Sequence, residues 1–431
     1  MDKKKTKVLV NNTIMMYILS IAKLVIPLIS LPYLTRVLSV DCYGSVAFVK
    51  SLMSYFQIFI DFGFLLSGTK DIINLIKKKE SPNKCIGNTL YAQGLLCGVS
   101  AIILLICCFG FDILHGYEVY AFLSLITRIL SIFLFEYVFK AYEQMGKIAV
   151  RYVVMKLISL ILTILFVKND GDILLMPIFD IIASLIVIVL VAIQLKKLGV
   201  KAEFSIRRIK EAWIALKSSF VFFMSNFATT AFSVLNTLII GICLKKSDVA
   251  YWSVAMQLVS AVQALYSPIV NSVFPTMLKE KNLKLIHKIM MLYMPLIFVG
   301  CVLVLLLGDK VVPFVFGDDY LMSSTILKYC IPVLIFSFPS MLYGWPCLGA
   351  INKEKTATIS TIVSSVVQVL GIALLIVINQ FNLLTLCIAR CVTEIVLCVM
   401  RMYSVYRNKK LFIKESSVNC SAVELVETDN N

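Results

Sequence analysis

Charge is what this chain has least of. Only 15% of its 431 residues are Asp, Glu, Lys or Arg, while 60% are hydrophobic. Soluble domains are about a quarter charged, so a water-soluble globular body is excluded as the main architecture. The chain contains just two histidines, His115 and His287, read as lying in loops on opposite sides of the membrane. That removes histidine zinc or haem sites and any imidazole proton relay at membrane depth. The thirteen cysteines lie mostly singly within apolar runs, and the close pairs Cys107–Cys108 and Cys387/Cys391 have no partner pair for a metal. An odd count in such places reads as packing residues and not as a disulfide framework. No glycine-rich phosphate cradle ending in Lys-Ser/Thr occurs, which argues against a built-in ATPase. No cofactor, metal ion or catalytic residue is expected.

Long apolar runs are what the chain has in plenty. A spanning helix needs roughly 20 mostly apolar residues. Twelve stretches qualify, at 13–35, 43–66, 86–110, 117–139, 151–168, 172–195, 218–243, 249–276, 286–308, 324–347, 355–378 and 382–405. The first follows "MDKKKTK" and is too long for a signal-peptide core, with no small-residue cleavage pattern after it, so a retained helix is expected. The formal net charge of +16 would by itself invite a nucleic-acid reading. Its placement says otherwise. With the N-terminus in the cytoplasm, thirty of the 41 Lys and Arg fall on cytoplasmic ends and loops, five on outer loops (Arg36, Lys168, Lys245, Lys246, Lys310) and six within spans. That asymmetry is the positive-inside rule. It predicts twelve spans with both termini cytoplasmic, and it makes the basic excess topogenic, with no nucleic-acid partner.

The stretch "CYGSVAF" at 42–48 is echoed by "AYWSVAM" at 250–256. Each follows an apolar run and a short polar break, and each opens the second span of a six-span set. The Lys-rich turns "KKKESPNK" and "KEKNLK" follow each of those second spans. The expected fold is therefore an all-α integral membrane protein of two six-helix parallel repeats around a central cavity, the arrangement of alternating-access transporters. The expected organisation is an N-terminal lobe at 1–200, a basic cytoplasmic linker at 201–217, a C-terminal lobe at 218–406 and a disordered tail at 407–431.

Ten charged residues fall inside the spans: Lys23, Lys50, Asp61, Arg128, Glu136, Lys156, Asp180, Lys328, Arg390 and Glu394. Each costs about 2.5–3.5 kcal/mol at a helix centre, so most should face a wet cavity or one another. On an ideal helix Lys50 and Asp61 differ by only about 20° and share a face. Lys23, Lys50 and Arg128, with Arg36 and Arg390, are the candidate substrate-binding cations, since Lys and Arg hold phosphate oxygens through charge-assisted hydrogen bonds. Asp61, Glu136, Asp180 and Glu394 are either ion-pair partners for those cations or protonatable coupling groups; Arg390 and Glu394, four residues apart, can simply neutralise each other. Lys156 and Lys328, nearer the span ends, are expected to snorkel to the interface. Prolines 27, 32, 268, 275, 332, 339 and 346 interrupt spans and should kink them, as helices lining a cavity allow.

The run "PLISLPYLTRVLSVDCYGSVAF…YFQIFIDFGFLLSGTKDI" at 27–72 resembles the opening of bacterial polysaccharide repeat-unit flippases. These are the Wzx-type O-antigen transporters of the multidrug/oligosaccharidyl-lipid/polysaccharide exporter superfamily. The residues that carry it are Pro27, the "LPYLTRVL" of 31–38, Tyr43-Gly44, Tyr55-Phe56, and "DFGF" at 61–64 with "SGTKDI" after it. Ser39 departs from that pattern, where glycine usually follows "RVL". The resemblance implies flipping of an undecaprenyl-diphosphate-linked oligosaccharide across the bacterial inner membrane through a cation-lined cavity, driven by an ion gradient. It also implies partnership with the polymerase and chain-length proteins of the same pathway. Arg36 and Asp61 stand within the matching motif; Lys23, Lys50 and Arg128 rest on topology alone. Two other functions compete. A multidrug exporter of the same superfamily would prefer an acidic cavity for cationic drugs, whereas the first lobe has four intramembrane cations against three acids. A membrane-embedded repeat-unit polymerase would need a substantial outer loop, and none is long enough.

Overall fold

In a computed structural model of the protein, residues 3–201, 203 and 209–412 are described, apart from the side chains of 3–10, 209, 225 and 228–233. Among them the regular elements are all helical. Eleven helical stretches are long and apolar enough to cross a membrane. The expected span at 218–243 lies on a further helix, part of whose side chains fall outside the described set. The expected tail beyond Phe412 also lies outside the described residues. The chain is a multi-pass membrane protein. Its outward faces confirm the solvent: Ile106 and Phe109, like Leu296 and Leu306, stand exposed, which only lipid accommodates in such density.

The chain divides at Ser253 into two compact units. The first contains α1 (Lys3–Val37), α2 (Val40–Asp61), α3 (Phe64–Lys77), α4 (Asn83–Gly110), α5 (Glu118–Ser131), α6 (Glu136–Ala141), α7 (Met145–Phe166), α8 (Leu175–Lys197), α9 (Ile209–Cys243) and the start of α10 (Lys246–Glu280). The second holds the rest of α10, then α11 (Leu283–Phe316), α12 (Leu321–Tyr329), α13 (Ile331–Leu342), a π-helical segment Tyr343–Gly349, α14 (Glu354–Val377) and α15 (Leu383–Arg407).

Several expected single spans are broken. The second, read as 43–66, ends at Asp61 because Phe62 (φ 39°) and Gly63 (φ 77°) both take the left-handed conformation. The cause is tertiary. Phe62 stacks flat on Phe223 of α9 at 4.4 Å, and a Cβ on Gly63 would strike the Phe222–Phe223 backbone. The "DFGF" motif is thus the break itself, and "SGTKDI" belongs to a separate short helix. The fourth, read as 117–139, breaks at Phe135 (φ 47°) after a 3₁₀ turn. The tenth breaks twice, at Cys330 and at Gly344, whose ψ of −116° is not helical. By contrast α1 stays helical through Pro27 and Pro32, and α10 through Pro268 and Pro275.

Ser39, the departure in the motif, caps α2: its side chain accepts from the Cys42 N–H. Its own N–H and hydroxyl donate to the Asp170 carboxylate at 2.8 and 2.5 Å, tying the α1–α2 turn to the α7–α8 loop. The first echoed segment meets the residues that lead into the second. Gly44, buried at the start of α2, lies so close to the Lys246 carbonyl at the start of α10 that a Cβ would overlap it. That obstacle is backbone, so it cannot rotate away. Gly44→Ala is expected to cost about 1–3 kcal/mol by overpacking, seen as a lower thermal midpoint of the detergent-purified protein; an unchanged midpoint would show that the two helix starts can part.

Candidate functional site: a cluster of charges in the first unit

Six helices of the first unit bring charged side chains into one electrostatic neighbourhood. Lys50 of α2 is exposed and lies within range of Asp180 on α8, Lys156 on α7 and Arg128 on α5. Asp61, at the far end of α2, is within range of Glu136, Arg128 and Lys23. Arg128 belongs to both groups, and so joins the two depths that the shared face of Lys50 and Asp61 predicts. Gln57, one helical turn before Asp61, donates to that carboxylate at 2.9 Å and to the Ser131 hydroxyl at 3.2 Å. Ser131 in turn donates to the Arg128 carbonyl. Lys23 of α1 sits 5.4 Å from the centre of the Tyr152 ring, a cation–π contact worth about 0.5–2 kcal/mol depending on exposure. Glu136 opens α6 just after the left-handed Phe135, where the helix N-terminus favours a carboxylate.

Lys156 does not snorkel. It forms an ion pair with Asp180 at 2.9 Å, both half-buried, because pairing at that depth offsets two desolvation costs at once. Lys328 in the second unit likewise pairs with Asp309, since α11 runs on to Phe316 and carries Asp309 into reach across the expected outer loop. Among the described residues no carboxylate lies within ion-pair distance of Lys23, Lys50 or Arg128. Three cations of the first unit therefore have no ion-pair partner among the described residues, and neither do the carboxylates Asp61 and Glu136.

The remaining candidates lie elsewhere. Arg36 is exposed in the last turn of α1, thirteen residues or about 20 Å along the helix from Lys23. Arg390 and Glu394 belong to the second unit and pair with each other at 3.1 Å, Glu394 almost wholly buried. One buried cation escaped the sequence reading. Arg151, counted there at the cytoplasmic end of a span, is 6% exposed inside α7. Its guanidinium stacks 3.8 Å from the centre of the Phe139 ring and donates to the Lys147 and Leu134 carbonyls, closing the backbone left open by the break before Phe135. Nothing in the local sequence marks this, since Phe139 and Leu134 stand on either side of that break, 12 and 17 residues before Arg151. No group of His, Cys, Asp and Glu that could hold a metal ion occurs among the described residues.

Residues 9–281 match the family described as polysaccharide biosynthesis protein. A Shigella dysenteriae protein named for O-antigen transport is 25% identical over 366 residues, covering 83% of this chain and 91% of its own. An Escherichia coli protein of the same description is 22% identical over 360 residues, covering 80% and 84%. In fold the chain is similar to the lipid II flippase MurJ in an inward closed conformation, with a TM-score of 0.69, 16% identity, and 98% and 93% of the two chains covered. It is similar also to an inward-facing multidrug resistance MATE transporter of the MOP superfamily, with a TM-score of 0.61, 14% identity, and 91% and 99% covered. The family match extends over well more than half of the chain, and the chain therefore belongs to the polysaccharide biosynthesis protein family.

Proposed function

We propose that the protein is a flippase for an undecaprenyl-diphosphate-linked oligosaccharide repeat unit of a surface polysaccharide such as O-antigen. It carries the unit from the cytoplasmic to the outer leaflet of the bacterial inner membrane. The observation that carries this reading is the set of three cations, Lys23, Lys50 and Arg128, that face no carboxylate at ion-pair distance among the described residues. A diphosphate supplies the missing counter-charge: it accepts bidentately from an Arg and singly from Lys. The relatives named for O-antigen transport and the MurJ-like fold point the same way. The protein is a transporter and not an enzyme. Movement is by alternating access of lobes at 1–200 and 218–406 joined by the linker at 201–217, both termini cytoplasmic. Asp61, Glu136 and Asp180 are the groups through which an ion gradient would be coupled, and Arg36 and Arg390 are further candidate cations for the anionic head. The flipped unit passes to the pathway's polymerase and chain-length proteins.

A multidrug exporter would have to admit cationic drugs into a cluster in which, among the described residues, three cations against two carboxylates (Asp61 and Glu136) have no ion-pair partner, a balance that opposes such entry by like-charge repulsion. Deletion in the native strain separates the readings. Expected is loss of surface glycan with the lipid-linked unit trapped on the cytoplasmic leaflet. Intact glycan with raised sensitivity to cationic drugs would make it an exporter. Single unpolymerised units accumulating on the outer leaflet would make it a polymerase.

A further inference from the structure

One amide joins the ends of two broken spans. α2 stops at Asp61, before the left-handed Phe62 and Gly63. α5 stops at Ser131, before the 3₁₀ turn that leads to the left-handed Phe135. The Gln57 Nε2 donates to the Asp61 carboxylate at 2.9 Å and to the Ser131 hydroxyl at 3.2 Å, so it reaches from one helix end to the other. In the last turn of α5 the Ile132 N–H turns back to the Ile129 and Leu130 carbonyls. The Ser131 hydroxyl serves the Arg128 carbonyl, at 2.6 Å. Chemistry sets the order of donors along this line. A carboxylate only accepts, so it keeps the amide nitrogen turned toward it; the second amide hydrogen goes to Ser131, and the Ser131 hydrogen goes to Arg128. A proton on the Asp61 oxygen that faces Gln57 makes that oxygen a donor. The amide then has to turn its own oxygen to Asp61, and from the same place that oxygen accepts from Ser131. The Ser131 hydrogen is drawn off the Arg128 carbonyl.

We propose that Gln57 is the positioning residue that passes the protonation state of Asp61 to Arg128, freeing the end of α5 when Asp61 takes up a proton and refastening it when the proton leaves. This rests on the coupling role given to Asp61 above. The proton comes from water and returns to it, and only O–H bonds are made and broken. Around the carboxylate the other titratable and charged groups are Glu136 on α6, Arg128 on α5, Lys23 on α1 and the Cys97 thiol on α4. α9 meets this end of α2 with the Phe223 ring. A hydrogen bond left unmade at such a helix end shifts the balance between two arrangements by about tenfold. A carrier that exchanges protons for an anionic head needs such a link, because uptake of one has to weaken the hold on the other.

The test is the pH profile of flipping by the purified full chain in liposomes, with lipid-linked repeat unit extracted from the deletion strain as the probe. The natural chain's rate should change by about tenfold per pH unit where one proton is taken up. Asp61→Asn should be flat with pH, by the coupling role itself. Gln57→Leu keeps Asp61 and removes the amide; Ser131→Ala keeps the Gln57–Asp61 bond and cuts the step to Arg128. Both are expected to be flat as well, whereas Ser131→Thr retains the hydroxyl and should keep the natural profile. Gln57 and Ser131 are only half-buried, and Ser131→Ala removes a single heavy atom, so that variant should fold, as its thermal midpoint will show. A Gln57 with a structural role alone would lower the rate by one factor at every pH and leave the shape of the profile. The natural shape in Gln57→Leu or in Ser131→Ala, beside a flat Asp61→Asn, would overturn the link through Gln57 and leave Asp61 as the coupling group. A flat natural chain, or the natural shape in Asp61→Asn, would overturn the coupling role of Asp61 and this inference with it.

Discussion

Arg128→Ala is expected to lower surface-glycan delivery by about ten- to a hundredfold in a strain dependent on this protein, with the amount of membrane-inserted protein unchanged. The magnitude follows from losing hydrogen bonds to a charged partner, each worth about 1.5–3 kcal/mol, where each 1.4 kcal/mol is a factor of ten. Arg128 is the residue common to the Lys50 and Asp61 neighbourhoods, so no second cation can take its place at both depths. The fold should survive. Asp180 keeps Lys156 as its ion-pair partner, and Asp61 keeps the Gln57 amide. Arg128→Lys should fall between, because it restores a point charge without the planar fork that binds phosphate bidentately. Normal glycan from Arg128→Ala would take Arg128 out of the site and weaken the flippase reading with it.

The largest expected loss of stability comes from Arg401. It sits on α15 and donates to the Ser340 carbonyl at 2.9 Å and the Ser340 hydroxyl at 3.4 Å. It also donates to the Ser360 hydroxyl at 3.2 Å and the Thr361 hydroxyl at 2.9 Å. One guanidinium thereby fastens α13 and α14 to α15. Its place is made by Gly344, where a Cβ would lie 2.9 Å from the guanidinium nitrogen, at the residue where the helix departs from regular geometry. Removing Arg401 leaves the Ser340 carbonyl and three hydroxyls without this donor at a depth where lipid offers none. Arg401→Ala is therefore expected to cost about 3 kcal/mol or more, read as a large drop in thermal midpoint and in yield of monodisperse protein. Arg401→Lys should recover little, since one ammonium cannot span three helices. Equal midpoints for Arg401→Ala and the natural chain would show that the π segment holds itself.

Much of this was legible beforehand. Hydropathy located the spans because lipid imposes the same demand on every one of them, regardless of neighbours. The Arg390–Glu394 pair was legible too, as four residues on one helix determine their own proximity. The shared face of Lys50 and Asp61 came from helical geometry alone. Breaks inside spans were not legible. "IDFGFLL" is as apolar as its surroundings, and what ends α2 there is Phe223, some 160 residues later. Arg151 and Arg401 read as loop cations because each stands at a span's edge, and their partners are aromatic rings, carbonyls and hydroxyls that carry no charge to be matched.

By itself, then, the sequence determined that the chain is a helical membrane protein, roughly where it crosses, and which charges are carried into the bilayer; those follow from solvent and from helical period, both local. Only the tertiary structure decided which of those charges are cancelled. Lys156 is neutralised by Asp180 and Lys328 by Asp309, while among the described residues Lys23, Lys50 and Arg128 are left facing no carboxylate at pairing distance. That choice depends on how helices distant in sequence turn toward one another, and in a low-dielectric medium a few ångströms separate a silent ion pair from a cation able to hold a phosphate.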